Sequence, residues 1–213
     1  MGLLRGRAPF AAVAALAVAG LFAGRCALAA PTAQQVEAVF LFYFSQFVDW
    51  PPRAFAGERS PIVIGVLGND PFGGALDQAV AGEQVNGRPI VVRRLKSIGD
   101  AAGCHILYIS SSESPQLPQI LSTLKGHSVL TVSDLSQFLQ NGGMIRFALI
   151  DQHVRLFINA RAAQAAGLTL SSKLLRVGQT VPMTLRDGGA AGPDLLSGRS
   201  PLQRGSPAGP GSG

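Results

Sequence analysis

Apolar runs and amphipathic stretches alternate along the middle of the chain. Continuous β-branched runs predict buried strands over residues 61–68, 89–95, 105–110 and 128–133. Apolar residues spaced by three and four predict helices over 72–81, 115–124, 135–139 and 160–166. Asp70 and Pro71 have the residue types of an N-cap and a first helical position, so the first of these helices is predicted to begin there.

Two further apolar runs, 144–150 and 153–159, are separated only by Asp151 and Gln152. A connection this short is typical of an antiparallel hairpin. Strands that alternate with helices imply parallel βαβ units. The sequence therefore predicts an α/β fold, a three-layer α/β/α sandwich on a mixed, mostly parallel five- to six-stranded sheet with a C-terminal antiparallel hairpin.

An unusually aromatic helix is predicted over residues 34–50, ahead of the first strand. A helix that packs on a sheet needs only one apolar stripe, yet these aromatic residues cover more than one side. The second face either contacts a partner protein or a second copy of the chain, or is covered by neighbouring elements. On the first interpretation, Phe44, Phe47, Trp50 and Pro51 form or border the contact surface. The aromatic residues are Phe40, Phe42, Tyr43, Phe44, Phe47 and Trp50.

The two ends of the chain differ in composition from its middle. Residues 1–29 combine Arg5 and Arg7, an apolar run and a small-residue cleavage site, in the order of a secretory signal peptide. Cleavage removes three of the 18 Lys and Arg and none of the 12 Asp and Glu, so the formal net charge falls from +6 to +3. Residues 187–213 are rich in Gly, Pro and Ser and are predicted to be disordered. The folded domain is expected over residues 32–182, in the periplasm.

Charge and hydropathy exclude two classes of partner. Lys and Arg form no stripe along the chain, so nucleic-acid binding is not expected. After the signal peptide no segment reaches the roughly 18 apolar residues of a membrane span. We therefore expect no stable membrane insertion of the mature chain.

Catalytic and metal-binding patterns are scarce in the predicted domain. His105, His127 and His153 stand alone, without the spacing of metal ligands. Cys104 is the only cysteine left after cleavage, which excludes an intrachain disulfide and CxxC redox chemistry. It is interpreted as a buried, unpaired thiol, with an intermolecular disulfide or a reactive thiol as alternatives. We expect no enzyme activity, no cofactor and no metal.

Small polar residues follow two of the predicted strands. Gly68 and Asp70 come after one strand, and Ser110 and Ser112 come after another. The loop at residues 65–74 matches neither phosphate-binding pattern, and the serines lack the GxSxG pattern of a nucleophile elbow. Because ligands bind at the carboxyl ends of parallel strands, the four residues could instead line a cleft for a small polar molecule. A periplasmic small-molecule-binding sensory domain is thus an alternative function, with a hydrolase as a third.

The chain resembles the YfiR-like (YfiR/HmsC-like) periplasmic proteins over about residues 35–178. Examples of the matching residues are Asp49-Trp50-Pro51, Asn69-Asp70-Pro71-Phe72 and Cys104-His105-Ile106-Leu107. Each segment alone is short, but eight occur in order at natural spacing. The matching segments are 38–51, 64–72, 85–90, 103–109, 130–134, 142–145, 158–159 and 171–175.

The resemblance implies an α/β/α periplasmic domain without catalytic activity. The best-known members repress a membrane-bound diguanylate cyclase by binding its periplasmic sensor domain, and so control cyclic-di-GMP signalling and biofilm formation. The partner expected here is accordingly the periplasmic domain of a membrane signalling protein. Disulfides of the best-known member support its stability and its response to redox conditions. This chain departs from that pattern, because only Cys104 stands at a matching position.

Overall fold

The computed structural model describes residues 30–180, so the predicted signal peptide (1–29) and tail (187–213) lie outside the described residues. The helices are α1 (Ala33–Phe47), α2 (Gly74–Val80), α3 (Leu117–Thr123), α4 (Ala160–Ala165) and α5 (Ser172–Val177). The strands are β1 (Val48–Asp49), β2 (Ile62–Leu67), β3 (Gln84–Val85), β4 (Arg88–Leu95), β5 (Ile106–Ile109), β6 (Leu130–Ser133), β7 (Ile145–Ile150), β8 (His153–Ile158), β9 (Thr169–Leu170) and β10 (Gln179–Thr180).

One mixed sheet forms the centre of the domain, in the order β10-β8-β7-β6-β5-β2-β4-β3. The neighbours from β4 through β7 are parallel, whereas β7 and β8 form the antiparallel hairpin. This confirms the predicted α/β fold. The sheet has eight strands because it also includes β3 and β10, which are two residues each and have no apolar run to predict them. Strands β1 and β9 form a separate antiparallel pair.

Side chains of the central strands alternate between two apolar cores, one on each face of the sheet. In β2, Ile62, Ile64 and Val66 belong to the core that includes α1 and α2. Val63 and Leu67 of the same strand belong to the core that includes α3. A strand buried on both faces reads as a continuous apolar run, and this is the physical basis for the three layers.

Two predicted helix boundaries and one predicted helix are wrong. Helix α2 begins at Gly74 instead of Pro71, while the Asp70 carboxylate accepts the backbone N–H of Phe72 at 2.7 Å in the preceding turn. The segment 135–139 forms turns instead of a helix. Phe138 and Leu139 are apolar because they are buried in the core that includes α3. Helix α1 ends at Phe47, because Val48 and Asp49 pair with β9.

None of the helices within residues 30–180 has the length and apolar character needed to cross a bilayer.

Candidate partner-binding groove on the first helix

Helix α1 begins with a complete capping box. Thr32 accepts the backbone N–H of Gln35, and the Gln35 side chain accepts the backbone N–H of Thr32 at 2.8 Å. From there α1 runs antiparallel to the parallel strands. Its start lies near the carboxyl ends of β5 and β6, where burial and then the nearby Asp134 carboxylate raise the pKa of Glu37. Its end leads to Trp50, which lies against His105 at the start of β5.

The inner face of α1 packs against the sheet. Leu41 and Phe44 are completely buried, and the Phe44 ring stacks on Phe147 of β7 at a centroid distance of 6.0 Å. Phe44 therefore belongs to the core and has no surface to offer a partner. Its predicted place in a contact surface is wrong, because spacing alone did not show which side of α1 the sheet covers.

The outer face of α1 forms one wall of a groove, which we call the α1–α2 groove. Val39 and Tyr43 are each 41% exposed, and Val36 and Phe40 are half-buried beside them. The opposite wall is α2, where alanines spaced by four leave room between the helices. The cavity volume is about 590 Å³, and none of its lining residues is charged. The lining comprises Pro31, Gln35, Val36, Val39, Phe40, Tyr43, Ala75, Gln78 and Ala79.

The contribution of α2 to this groove was not predicted. Ala75 and Ala79 are the only signal for it, as a small-residue pair spaced by four. Phe47, which was predicted to border a contact surface, is half-buried and stacks on Tyr43 with a centroid distance of 6.1 Å. It therefore extends the apolar face beyond the end of the groove.

Trp50 and Pro51 lie at the far end of α1, next to a stack of side chains. The indole N–H of Trp50 donates to the backbone carbonyl of His105 at 3.1 Å, and the Phe55 ring lies 4.5 Å from the His105 ring. The Arg88 guanidinium lies over the Phe55 ring, 3.9 Å from its centroid. The Trp50 indole thus holds the segment after α1 against the sheet. Pro51 is the N-cap of the single turn of 3-10 helix that follows, Pro52–Ala54.

Trp50→Phe tests this structural role of Trp50. The phenyl ring keeps most of the packing but has no N–H to donate. The His105 carbonyl still accepts the backbone N–H of Leu130 at 2.8 Å, so it does not lose all its partners. We expect the free energy of unfolding to fall by about 0.5–1 kcal/mol. Urea denaturation followed by circular dichroism measures it, and a loss several times larger would show that the indole also fills space.

His105 itself is held as a neutral ring. Its Nδ1 accepts the backbone N–H of Val63 at 3.2 Å, and burial lowers the pKa of the imidazole. His127, in the bend after α3, and His153, the first residue of β8, are both exposed. None of the three lies in a group of side chains arranged as metal ligands, a statement that covers residues 30–180.

The residues predicted for a ligand cleft do come together at the carboxyl ends of β2 and β5. However, they bond to one another and to their neighbours. The Ser112 hydroxyl accepts the backbone N–H of Asn69 at 3.0 Å, and the Ser110 hydroxyl accepts that of Ser112. Gly68 has a φ of 84°, and a Cβ there would collide with the Ser112 hydroxyl. The two loops are thus in close contact.

Asp70, the fourth of these residues, is also engaged. Its carboxylate lies 2.9 Å from Nε of Arg94. The same guanidinium binds Asp77 of α2 through two hydrogen bonds, of 2.7 and 2.6 Å, and holds the pKa of that carboxyl below its usual range. Asp70 and Arg94 therefore position the start of α2, the second wall of the groove.

Cys104 is a free thiol, 4% exposed, at the amino end of β5. It lines a small cavity of about 230 Å³ together with Arg53, His127 and Ser128. Burial raises the pKa of the thiol to about 11. Since the thiolate is the reactive form, this thiol is protected from reaction at neutral pH.

Comparison with known proteins identifies the family. No curated protein matched the chain. A family model described as DUF4154, YfiR/HmsC-like, matches residues 34–179, which is more than half of the sequence and includes both walls of the groove. The family is one of periplasmic, non-catalytic regulators connected with cyclic-di-GMP signalling. The chain belongs to the YfiR/HmsC-like family.

Proposed function

We propose that the chain represses a membrane-bound diguanylate cyclase, or a similar signalling protein, by binding that protein's periplasmic sensor domain through the α1–α2 groove. Family membership supports the class of partner. The observation that carries the choice of surface is the uncharged groove, whose α1 wall exposes large apolar side chains to solvent. Contiguous apolar surface of this kind is typical of interaction sites.

The lining of the groove indicates what the partner presents. It contains aliphatic and aromatic side chains, two glutamines and no charge. A charged side chain that entered it would lose its hydration without gaining an ion pair. The occupant is therefore an apolar face, such as one stripe of an amphipathic helix in the sensor domain.

The proposal includes export of the chain. Residues 1–29, which lie outside the described residues, have the composition of a cleavable signal peptide. The family is periplasmic. The proposal also takes the exported domain as residues 32–182, followed by a tail over 187–213; the family match over residues 34–179 supports the extent of the domain.

Val39→Asp tests the surface. The added carboxylate projects from the exposed wall of the groove, so the fold tolerates it while an apolar partner does not. We expect the affinity for the periplasmic domain of a diguanylate cyclase encoded beside this protein to fall at least tenfold, by about 1.4 kcal/mol or more. Isothermal titration calorimetry with both purified proteins measures it.

Leu149→Asp is the matched control. Leu149 is 62% exposed near the tip of the β7–β8 hairpin and is not among the residues that line the α1–α2 groove. Its substitution adds the same charge to an equally apolar position outside the groove, and we expect unchanged affinity. If Leu149→Asp abolishes binding and Val39→Asp does not, the hairpin and not the groove is the interface. If neither wild type nor any variant binds a neighbouring cyclase, the proposed partner class is wrong.

The alternative of a small-molecule sensor at Gly68, Asp70, Ser110 and Ser112 has less support. The serine hydroxyls accept hydrogen bonds from the backbone of the same two loops, and Asp70 pairs with Arg94. A ligand there would have to displace these bonds. Saturation of the wild-type calorimetric signal by a small metabolite, with no binding of any cyclase domain, would favour this alternative.

A further inference from the structure

Glu37 is an acidic residue on the core-facing stripe of α1. With Leu41, Phe44 and Val48 it follows the spacing of four, three and four that defines one side of a helix. Those three residues are buried, and Glu37 is only 8% exposed. Among residues 30–180 the ion pairs are those of Arg94 with Asp70 and Asp77, so no cation pairs with Glu37. A carboxylate at such a position is costly to ionise.

Two ionisable groups of the sheet face Glu37. Asp134 directly follows β6, and it adds to the effect of burial in raising the pKa of Glu37 to about 7. Tyr108 of β5 is also buried, and its pKa is raised first by burial and then by the charges of Asp134 and Glu37. The carboxyl groups of Glu37 and Asp134 thus lie near one another beside a neutral phenol.

Other elements that pack against α1 bring no countercharge to this point. The charged groups on α2, β1, β8 and α5 are all exposed, and Asp77 among them is bound by Arg94. Arg146 of β7 lies over the Phe157 ring, on the opposite face of the sheet from α1. Within residues 30–180, Asp134 is the one charged group that shifts the pKa of Glu37. The other ionisable residues on these elements are Asp49, His153, Arg155, Lys173 and Arg176.

We propose that Glu37 is a proton-dependent latch that holds the first turns of α1 on the sheet and so controls the α1–α2 groove. While neutral, Glu37 packs beside Tyr108 as a core residue. When ionised, it is repelled by Asp134 and draws water toward the interface, which loosens the start of α1. Val36 and Val39, within one turn of Glu37, line the groove, so loosening this turn displaces part of its wall.

The inference deepens the proposed function, because the latch would regulate the same surface that binds the partner. The groove is formed when Glu37 is protonated and is disturbed when it is ionised. Partner binding is therefore expected to weaken as pH rises through the pKa of Glu37. At one pH unit above a pKa the ionised form is favoured about tenfold.

Hydrogen–deuterium exchange on the free protein, purified after export, tests the latch without a partner. Amides in the first two turns of α1 are compared with those of β5 at about pH 6 and about pH 8, after correction for the chemical exchange rate. For the wild type we expect protection of α1 relative to β5 to fall about tenfold over this range. Flat protection in the wild type would overturn the proposal.

Two variants and a control test whether Glu37 and Asp134 cause the change in protection. Glu37→Gln keeps the shape of the side chain but cannot ionise, so its α1 protection should not depend on pH. Asp134→Asn removes one of the two causes that raise the pKa of Glu37 and should move the transition to lower pH. A transition unchanged in both variants contradicts the latch.

Glu58→Gln is the control for loss of a carboxylate. Glu58 is exposed in the loop before β2, and its substitution should leave the wild-type profile unchanged. If Glu37→Gln retains the full pH dependence, another group causes it and the latch is wrong. These outcomes do not depend on the cyclase: the latch can fail while Val39→Asp still abolishes partner binding, and the groove can fail as an interface while the latch is observed.

Discussion

Phe44→Ala is expected to lower the free energy of unfolding by about 3–5 kcal/mol, the usual cost of removing a completely buried phenyl ring. Phe44 has no exposed surface and stacks on Phe147 of β7. Because α1 closes one face of the sheet through this contact, the cavity would lie between two layers that cannot easily collapse. Chemical denaturation followed by circular dichroism measures the loss.

Tyr43→Ala is the matched control, one residue away on the same helix. Tyr43 is 41% exposed, so its removal should cost far less than that of Phe44 while weakening partner binding. Equal losses of stability for the two variants would show that both faces of α1 are buried. That result would remove the basis for placing the interface on this helix.

Phe44 and Tyr43 also show what sequence periodicity can and cannot predict. Spacings of three and four identified α1 as a helix with aromatic residues on two sides, but they did not show which side meets the sheet. Phe44 was therefore assigned to the wrong side. The decisive contact, with Phe147, joins residues distant in sequence, and no local pattern contains that information.

The parallel sheet was predictable because its strands are buried on both faces. The segment Ile62–Leu67 is a continuous apolar run, which few other structures produce. The short strands β1, β3, β9 and β10 were not predictable, because two residues are too few to show a periodic pattern. The turns at 135–139 were mistaken for a helix because Phe138 and Leu139 are buried for reasons of tertiary packing.

The candidate site was predictable only in part, for a related reason. The aromatic wall on α1 is visible in the sequence, whereas the opposite wall consists of Ala75 and Ala79, which attract no notice before α2 is placed beside α1. Glu37 is similar. An acid at the position of a core residue stands out only after Leu41 and Phe44 have been assigned to the buried stripe.

Above about pH 7, Glu37→Gln is expected to have a free energy of unfolding about 3 kcal/mol higher than that of the wild type. In the folded wild type the pKa of Glu37 is raised from 4.5 to about 7, mainly by burial. Between these values the unfolded chain releases a proton that the folded chain retains. The contribution of Glu37 is therefore fully present below pH 4.5 and is lost as pH rises to about 7. Glutamine has no proton to release, so the variant escapes this loss.

The measurement is the difference in unfolding free energy between wild type and Glu37→Gln across this pH range. The difference is needed because His105 acts in the opposite direction: burial lowers its pKa, so its contribution is present above its ordinary pKa of 6.5 and falls as pH drops. His105 is the same in both proteins and cancels. A difference that stays constant with pH would mean that Glu37 has the same pKa in the folded protein as in the unfolded chain. Ionisation of Glu37 would then have no effect on how stably α1 packs on the sheet.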